Sequence, residues 1–131
     1  MKNPDTDVKR ILVVEDEMVV TQVCRRALNN EMFEVDIAVN GEVAQDMLRE
    51  RNYDLCLIDI RMPVMNGSQL YQLMKEKYPE MVNRVIFTTG DVIGSDMQIF
   101  LKQVGRPFLP KPFTPDELRA VVKETLSRIE K

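Results

Sequence analysis

Short apolar runs alternate with segments of helical periodicity along the whole chain. Ile11–Val14, Leu55–Ile58 and Val85–Phe87 are apolar runs without polar alternation, a pattern typical of strands buried on both faces. Phe33–Val39 alternates well enough for a further strand, and Phe108–Leu109 is a minimal fifth one. The pattern therefore predicts five short strands.

A helical stripe follows each of these runs. After the first run, apolar residues recur at i, i+3, i+4, i+7 and i+8, and they are Val20, Val23, Cys24, Ala27 and Leu28. Ser68 predicts the start of the third helix, Ser95 with Gln98 predicts a capping box for the fourth, and Thr114–Glu117 predicts the start of the fifth. Asn40-Gly41 predicts a turn. Strands that alternate with helices predict an α/β fold, an open, doubly wound parallel sheet with helices on both faces.

Composition narrows the chemistry. The 131 residues suit one domain, and the net charge of −3 argues against a general nucleic-acid binder. The absence of histidine excludes His-based metal sites and catalytic triads. Cys24 and Cys56 are too few for a disulfide scaffold, and we expect both to be buried. No apolar stretch is long enough to span a membrane, so we expect a cytoplasmic protein with no membrane partner.

Chemistry-bearing side chains follow several of the strands. The first strand ends in Glu15-Asp16, the third in Asp59 and the fourth in Thr88-Thr89, and Lys111 follows the fifth. In an open parallel sheet the binding crevice lies beyond these carboxyl ends. Each residue alone could be an ordinary helix-terminal or surface group, but three converging carboxylates repel one another and need a cation. An all-oxygen donor set favours Mg²⁺.

A carboxylate beside Mg²⁺ and a lysine can accept a phosphoryl group. The chain contains neither the Gly-x-x-x-x-Gly-Lys-[Ser/Thr] motif nor the Gly-x-Gly-x-x-Gly motif, which are the glycine-rich loops that bind nucleotide phosphates. We therefore interpret Asp59 as a nucleophile, with the metal, Lys111 and Thr89 positioned to neutralise the transferred group.

The same residues carry a resemblance to a known family. The chain resembles the receiver domain of response regulators in two-component and phosphorelay signalling, of the chemotaxis-regulator-like kind. The resemblance implies a single receiver domain over 1–131, with its core at about 9–129, and the flavodoxin-like (βα)5 fold with strand order 2-1-3-4-5. The motifs that carry it, in chain order, are Glu15-Asp16, Asp59, Met62-Pro63, Asn66-Gly67, Thr89-Gly90 and Lys111-Pro112-Phe113.

The resemblance also implies roles for these residues. Asp59 would be the phosphoacceptor, and Thr89 and Lys111 would bind the phosphoryl group. The donor would be the phosphohistidine of a sensor histidine kinase or of a His phosphotransfer protein. Such a domain catalyses its own phosphorylation and dephosphorylation but is not a turnover enzyme. The implied Mg²⁺ ligands are Glu15, Asp16, Asp59 and the main-chain carbonyl of Arg61.

Further expectations concern the switch and the lifetime of the phosphoryl group. Thr89 and Phe108 occupy the switch positions, although Phe stands where Tyr is common, and the Lys111-Pro112 bond is expected to be cis. The fourth helix, fifth strand and fifth helix would bind a protein target or a second copy, and no nucleic acid directly. Arg61 and Asp91 flank the acceptor and Thr89, and we expect them to rim the phosphoryl pocket and tune hydrolysis.

Two other classes share part of this pattern. A haloacid-dehalogenase-type phosphatase also uses a nucleophilic Asp with Mg²⁺, but it needs a second Asp where Arg61 stands. A pseudo-receiver would keep the fold without phosphorylation, yet acceptor, metal ligands, Thr and Lys are all present. The run Gly105–Phe113 resembles receivers of hybrid sensor histidine kinases, which leaves open whether the domain is free-standing or part of such a kinase.

Overall fold

A five-stranded parallel sheet forms the centre of the molecule, which the computed structural model describes for residues 8–62, 65–90 and 94–129. The order across the sheet is β2-β1-β3-β4-β5, which confirms the expected order. The strands are β1 Arg10–Val14, β2 Glu34–Ala38, β3 Leu55–Asp59, β4 Val85–Thr89 and β5 Phe108–Pro110. The helices are α1 Met18–Asn29, α2 Gly41–Glu50, α3 Gly67–Lys77, α4 Ser95–Val104 and α5 Pro115–Ile129, with a 3₁₀ turn at Pro79–Met81.

Strand periodicity divides the core into two layers. Successive side chains point to opposite faces of a sheet, so Ile11 and Val13 of β1 pack towards α1 and α5. Leu12 and Val14 pack with residues of α2 and α3 on the other face. Because β1, β3 and β4 are apolar on both faces, covering only one face would expose a whole row of apolar side chains. None of the described helices combines the length and apolar character that a bilayer crossing requires.

The helix starts confirm one capping prediction and correct two. Thr114 and Glu117 form the predicted reciprocal capping box at α5. The prediction that Ser68 caps α3 is wrong: the cap is Asn66, whose side chain accepts the Gln69 N–H at 2.9 Å. Ser68 already lies inside the helix, where its hydroxyl instead donates to the Asn66 side chain. Asn66 was the better signal, since Gln69 follows it by three residues.

The capping box predicted at Ser95 is also wrong. Gly94 is the N-cap residue of α4, and Ser95 is already the first helical residue. The Gln98 N–H bonds to the Gly94 carbonyl at 3.0 Å. The turn predicted at Asn40-Gly41 is instead the start of α2: Gly41 is its first residue, and Asn40 is the N-cap, whose side chain accepts the Val43 N–H at 2.9 Å.

Helix α4 is attached to the sheet by partial burial only. None of its residues is fully buried, although four apolar side chains of the helix pack against the core, namely Met97, Phe100, Leu101 and Val104. Phe100 contributes most visibly, in edge-to-face contacts with Tyr71 and Phe87 at centroid distances of 6.0 and 5.5 Å. Tyr71 itself, on α3, is buried. The α4 helix is therefore the one most easily displaced from the sheet.

Gly67 fixes the distance between α3 and the end of β3. A Cβ atom at this position would lie 2.8 Å from the Asp59 carbonyl oxygen and 2.8 Å from the Ile60 Cα. Both are backbone atoms, which cannot move aside as a flexible side chain does. The absence of a side chain at Gly67 thus lets α3 begin directly against the strand end that carries Asp59.

We expect Gly67→Ala to lower the free energy of unfolding by about 1–3 kcal/mol through this overpacking. Gly94→Ala is the control, because a Cβ there meets nothing within 4 Å. Urea denaturation of the two variants measures both effects. Equal destabilisation by the two substitutions would contradict the proposed contact.

Candidate functional site

The carboxyl ends of the strands bring the sequence-predicted residues to one edge of the sheet. Glu15 and Asp16 directly follow β1, and Asp59 is the last residue of β3. Thr89 ends β4, and Lys111 directly follows β5. Parallel strands place these ends side by side, so residues far apart in sequence meet there.

Lys111 holds this edge together. Its ammonium nitrogen lies 2.8 Å from Glu15 Oε1, 2.8 Å from Glu17 Oε1 and 3.0 Å from Asp59 Oδ2. The lysine side chain is only 9% exposed. Strand β5 brings the ammonium here, because its main chain continues the sheet as far as the bond from the Lys111 N–H to the Thr89 carbonyl.

Four carboxylates converge at this edge of the sheet, and three of them contact the Lys111 ammonium. Oxygen atoms of Glu15, Asp16, Glu17 and Asp59 all lie within 4.8 Å of one another. Sequence reasoning missed Glu17, because it considered only the residues directly at the strand ends. The available signal was a third acidic residue in the run 15–17, next to the start of α1.

Burial makes the cluster electrostatically unfavourable. Glu15 is 1% exposed, and burial, assisted by the charge on Asp59, raises its pKa to about 7 despite its contacts with Lys111 and the Glu17 N–H. Burial alone would lower the pKa of Lys111, but its close contacts with the carboxylates of Glu15, Glu17 and Asp59 raise that pKa above its ordinary value. One positive charge thus serves several carboxylates.

Asp59 is held in a fixed orientation. It is 2% exposed, and its two carboxylate oxygens have different partners. Oδ1 accepts the Arg61 main-chain N–H at 3.0 Å, and Oδ2 accepts a bond from Lys111. Hydrogen bonds to both oxygens therefore fix the orientation of the Asp59 carboxylate at the carboxyl-terminal edge of the sheet.

Thr89 and Phe108 share a face of the sheet. Thr89 is buried and lies two residues beyond Phe87, so both side chains point to the same face. Phe87 is the register partner of Phe108, which is partly buried against the same core layer. Thr88 points to the opposite face, where its buried hydroxyl finds no partner among the described residues. Of the two threonines, Thr89 is thus the one on the side of the aromatic ring.

The remaining site predictions fall at the rim or outside the described residues. Arg61 is exposed, while Asp91 and Pro63 lie outside the described residues. The expectation that Arg61 and Asp91 rim the phosphoryl pocket and tune hydrolysis therefore stays a prediction. The Lys111-Pro112 peptide bond is cis, as expected.

The cluster fits a hard divalent cation. Mg²⁺ prefers carboxylate oxygens and keeps several waters, and four carboxylates converge here without nitrogen or sulfur ligands. Glu15 Oε1 is buried and, although it lies 2.8 Å from the Lys111 nitrogen, it accepts no hydrogen bond. A second positive charge would relieve both the repulsion and this unsatisfied oxygen.

The fold and site together define a signalling domain of two-component systems. The response regulator receiver domain family matches residues 11–123, and the chain belongs to that family. Receiver domains act in phosphorelay signalling, where they interact with histidine kinases or phosphotransfer proteins, bind Mg²⁺ at an acidic pocket and are not turnover enzymes.

Known proteins support the same assignment. The structure resembles a response regulator receiver domain protein (CheY-like) from Methanospirillum hungatei, with TM-score 0.85 and 28% identity over 95% of this chain and 98% of that one. It also resembles the receiver domain of a signal transduction histidine kinase from Syntrophus aciditrophicus, with TM-score 0.83 and 25% identity over 95% and 94%.

Curated relatives are longer than this chain. Response regulator Rre1 of Synechocystis is 36% identical over 120 residues, which cover 90% of this chain but 52% of Rre1. Other curated relatives are matched over 18% to 56% of their lengths. What those proteins do outside the matched part carries nothing over to this chain.

The buried carboxylate gives a pH prediction. Because the folded protein raises the Glu15 pKa from 4.5 to about 7, the metal-free fold should lose stability as the pH rises through this interval. Glu15→Gln should remove that loss and raise the free energy of unfolding by about 1–3 kcal/mol at pH 8, with little gain near pH 4.5.

Urea denaturation in a chelator at several pH values measures this difference. Glu17→Gln is the control, because Glu17 touches the same ammonium but its side chain is 60% exposed. If Glu15→Gln destabilises the protein at every pH, the ion pair with Lys111 outweighs the cost of burial.

Proposed function

We propose that this domain accepts a phosphoryl group on Asp59. The observation that carries the proposal is the Asp59 carboxylate itself, which is nearly buried, oriented from both sides and in contact with the Lys111 ammonium. A carboxylate fixed in this way needs little reorganisation before it attacks a phosphorus atom. Membership of the receiver family supplies the donor class, a phosphohistidine.

The chemistry is a direct phosphoryl transfer. An Asp59 oxygen forms a bond to phosphorus while the bond from phosphorus to the donor imidazole breaks, and the leaving imidazole nitrogen takes up a proton. Lys111 exchanges its contact with the bare carboxylate for one with a phosphoryl oxygen. The Thr89 hydroxyl donates to another of these oxygens, since a charged acceptor makes the stronger hydrogen bond.

The metal would be held by the acidic cluster. We propose Glu15, Asp16, Asp59 and the main-chain carbonyl of Arg61 as its protein ligands. Bound Mg²⁺ would neutralise negative charge on the transferring group. Glu17 remains outside this set and keeps its contact with Lys111.

We propose that phosphorylation is transmitted through Thr89 and Phe108. A Thr89 side chain drawn towards Asp59 vacates volume on the face that it shares with Phe108, whose register partner is Phe87. The apolar ring can fill this volume without burying an unsatisfied hydroxyl. Helix α4, which has no fully buried residue, then adjusts, so that α4, β5 and α5 present an altered surface to a protein target or a second copy.

The phosphoacceptor assignment is tested by labelling with phosphoramidate and Mg²⁺. We expect Asp59→Asn to abolish the hydroxylamine-sensitive mass increase, because the amide is a poor nucleophile. Asp54→Asn is the matched control, since it makes the same change just before the same strand, where Asp54 Oδ2 accepts the Arg10 N–H. A chelator should stop labelling of the wild-type protein.

Full labelling of the Asp59→Asn variant would exclude Asp59 as the acceptor. An unlabelled wild-type protein that binds Mg²⁺ would favour a pseudo-receiver, a docking module without phosphorylation.

The switch is tested with a beryllofluoride complex, which imitates the phosphoryl group. We expect the methyl resonance of Thr89 and the ring resonances of Phe108 to shift together on complex formation. Thr89→Val should still form the complex but leave the ring unmoved, because the shape is kept and the hydroxyl is lost. Thr89→Ser should keep the coupling. An unmoved ring in the wild-type complex contradicts the mechanism.

A further inference from the structure

A charged groove lies at the other end of the sheet, opposite to the acidic cluster of Glu15, Asp16, Glu17 and Asp59. It encloses about 770 Å³ between the segment that leads into β4, the α4–β5 connection and the last turns of α5. Three arginines line it, namely Arg84, Arg106 and Arg128. The phosphoryl chemistry proposed above uses none of them.

Arg106 is fixed at the centre of this groove. Its Nε donates to the Val85 carbonyl at 3.1 Å, and its Nη2 donates to the Asn83 carbonyl at 2.7 Å. Strand β5 begins only at Phe108, so the guanidinium satisfies the edge of β4 where no neighbouring strand is present. A guanidinium has five N–H donors, and these two bonds leave three of them for other acceptors.

The positive charge in the groove is only partly compensated. Arg106 donates to neutral main-chain carbonyls, and Arg84 donates to the main-chain carbonyl of Asp54, which is also neutral. Arg128 pairs with Glu124 on its own helix at 2.8 Å, but both side chains are largely exposed, where such a pair is weak. Burial lowers the pKa of Arg106, and the nearby charge of Arg128 lowers it further. Arg106, which is partly desolvated, and Arg128 therefore repel each other.

We propose that this groove binds an acidic side chain on a segment of a partner protein. The free N–H donors of Arg106 form a planar fork that matches a carboxylate, and Arg128 stands close enough to share its charge. Beside them, Phe108, Val121 and Ile129 offer apolar surface for an aliphatic neighbour of the acidic residue. The contacts with the ligand need no phosphoryl group on Asp59, although the groove shares Phe108 with the switch proposed above.

The groove also contains groups that oppose an acidic ligand. Glu80 and Glu124 line it as well, so three arginines against two glutamates leave one net positive charge. Neutralising Glu124 should therefore strengthen binding of an acidic ligand, because it removes a negative charge that repels the ligand and frees Arg128 from its ion pair. Neutralising Arg128 should weaken it.

The test uses the full isotope-labelled chain and an acetylated, amidated tetrapeptide of alternating leucine and glutamate. We expect saturable shifts of the Gly105 and Arg106 amide resonances, and much weaker binding of the leucine–glutamine counterpart. Arg128→Gln should raise the dissociation constant about two- to fivefold and Glu124→Gln should lower it by a similar factor, as expected for exposed charge pairs. Arg106→Lys should weaken binding at least about fivefold because the fork is lost.

Arg26→Gln is the matched control, since it removes the same charge from an exposed position on α1 and should leave binding unchanged. Equal weakening by Arg26→Gln and Arg128→Gln would reduce the effect to general charge attraction and overturn the proposal. Equal binding of the two peptides would also overturn it. If glutarate or inorganic phosphate binds as tightly as the glutamate peptide, the groove is a small-anion site rather than a docking site. Because labelling of Asp59 is not involved, none of these outcomes bears on the proposed phosphotransfer.

Discussion

The contact of one lysine with three carboxylates is the constraint on which this site depends. Lys111 reaches Glu15, Glu17 and Asp59 from a strand at the edge of the sheet, and so ties the ends of β1, β3 and β5 into one unit. Without it, buried Glu15 and Asp59 would face each other as uncompensated charges, a costly arrangement in a medium of low dielectric. A single ammonium leaves excess negative charge at the site, which suits it to a divalent cation. In the phosphotransfer proposed above, the phosphoryl group would then lie between this cation and Lys111.

The sheet supplies the rigidity that this arrangement needs, whereas α4 supplies the freedom. Strands β1, β3 and β4 are buried on both faces, and Gly67 locks α3 against the end of β3, so Asp59 cannot drift. By contrast, α4 is held through partly buried side chains such as Phe100. In the switch proposed above, a charge change at Asp59 would therefore displace α4 rather than the sheet, with Phe108 as the side chain that connects the two.

The fold could be predicted almost entirely from sequence, since apolar runs such as Ile11–Val14 have no stable place except a strand covered on both faces. The residues brought together at the strand ends also followed, because parallel strands leave only one edge for Asp59 and Lys111 to share. Glu17 did not follow: its role depends on where the long Lys111 side chain ends, which sequence spacing does not define. The helix starts at Asn66 and Gly94 were misplaced by one or two residues, because several neighbouring polar residues offered competing caps. The arginine groove was missed for a related reason, since its members come from three separate segments at the end of the sheet where no chemistry was sought.

The short β5 strand limits how other chains can bind at its edge of the sheet. Its three residues end in Pro110, the preceding residue is Pro107, and Arg106 already occupies a carbonyl of β4 just beyond it. A proline has no N–H to offer, so this edge presents too few donors for another chain to add a strand. Partners at this side must bind through side chains, and edge-to-edge aggregation of sheets, the common hazard of exposed strands, is disfavoured by the sequence itself.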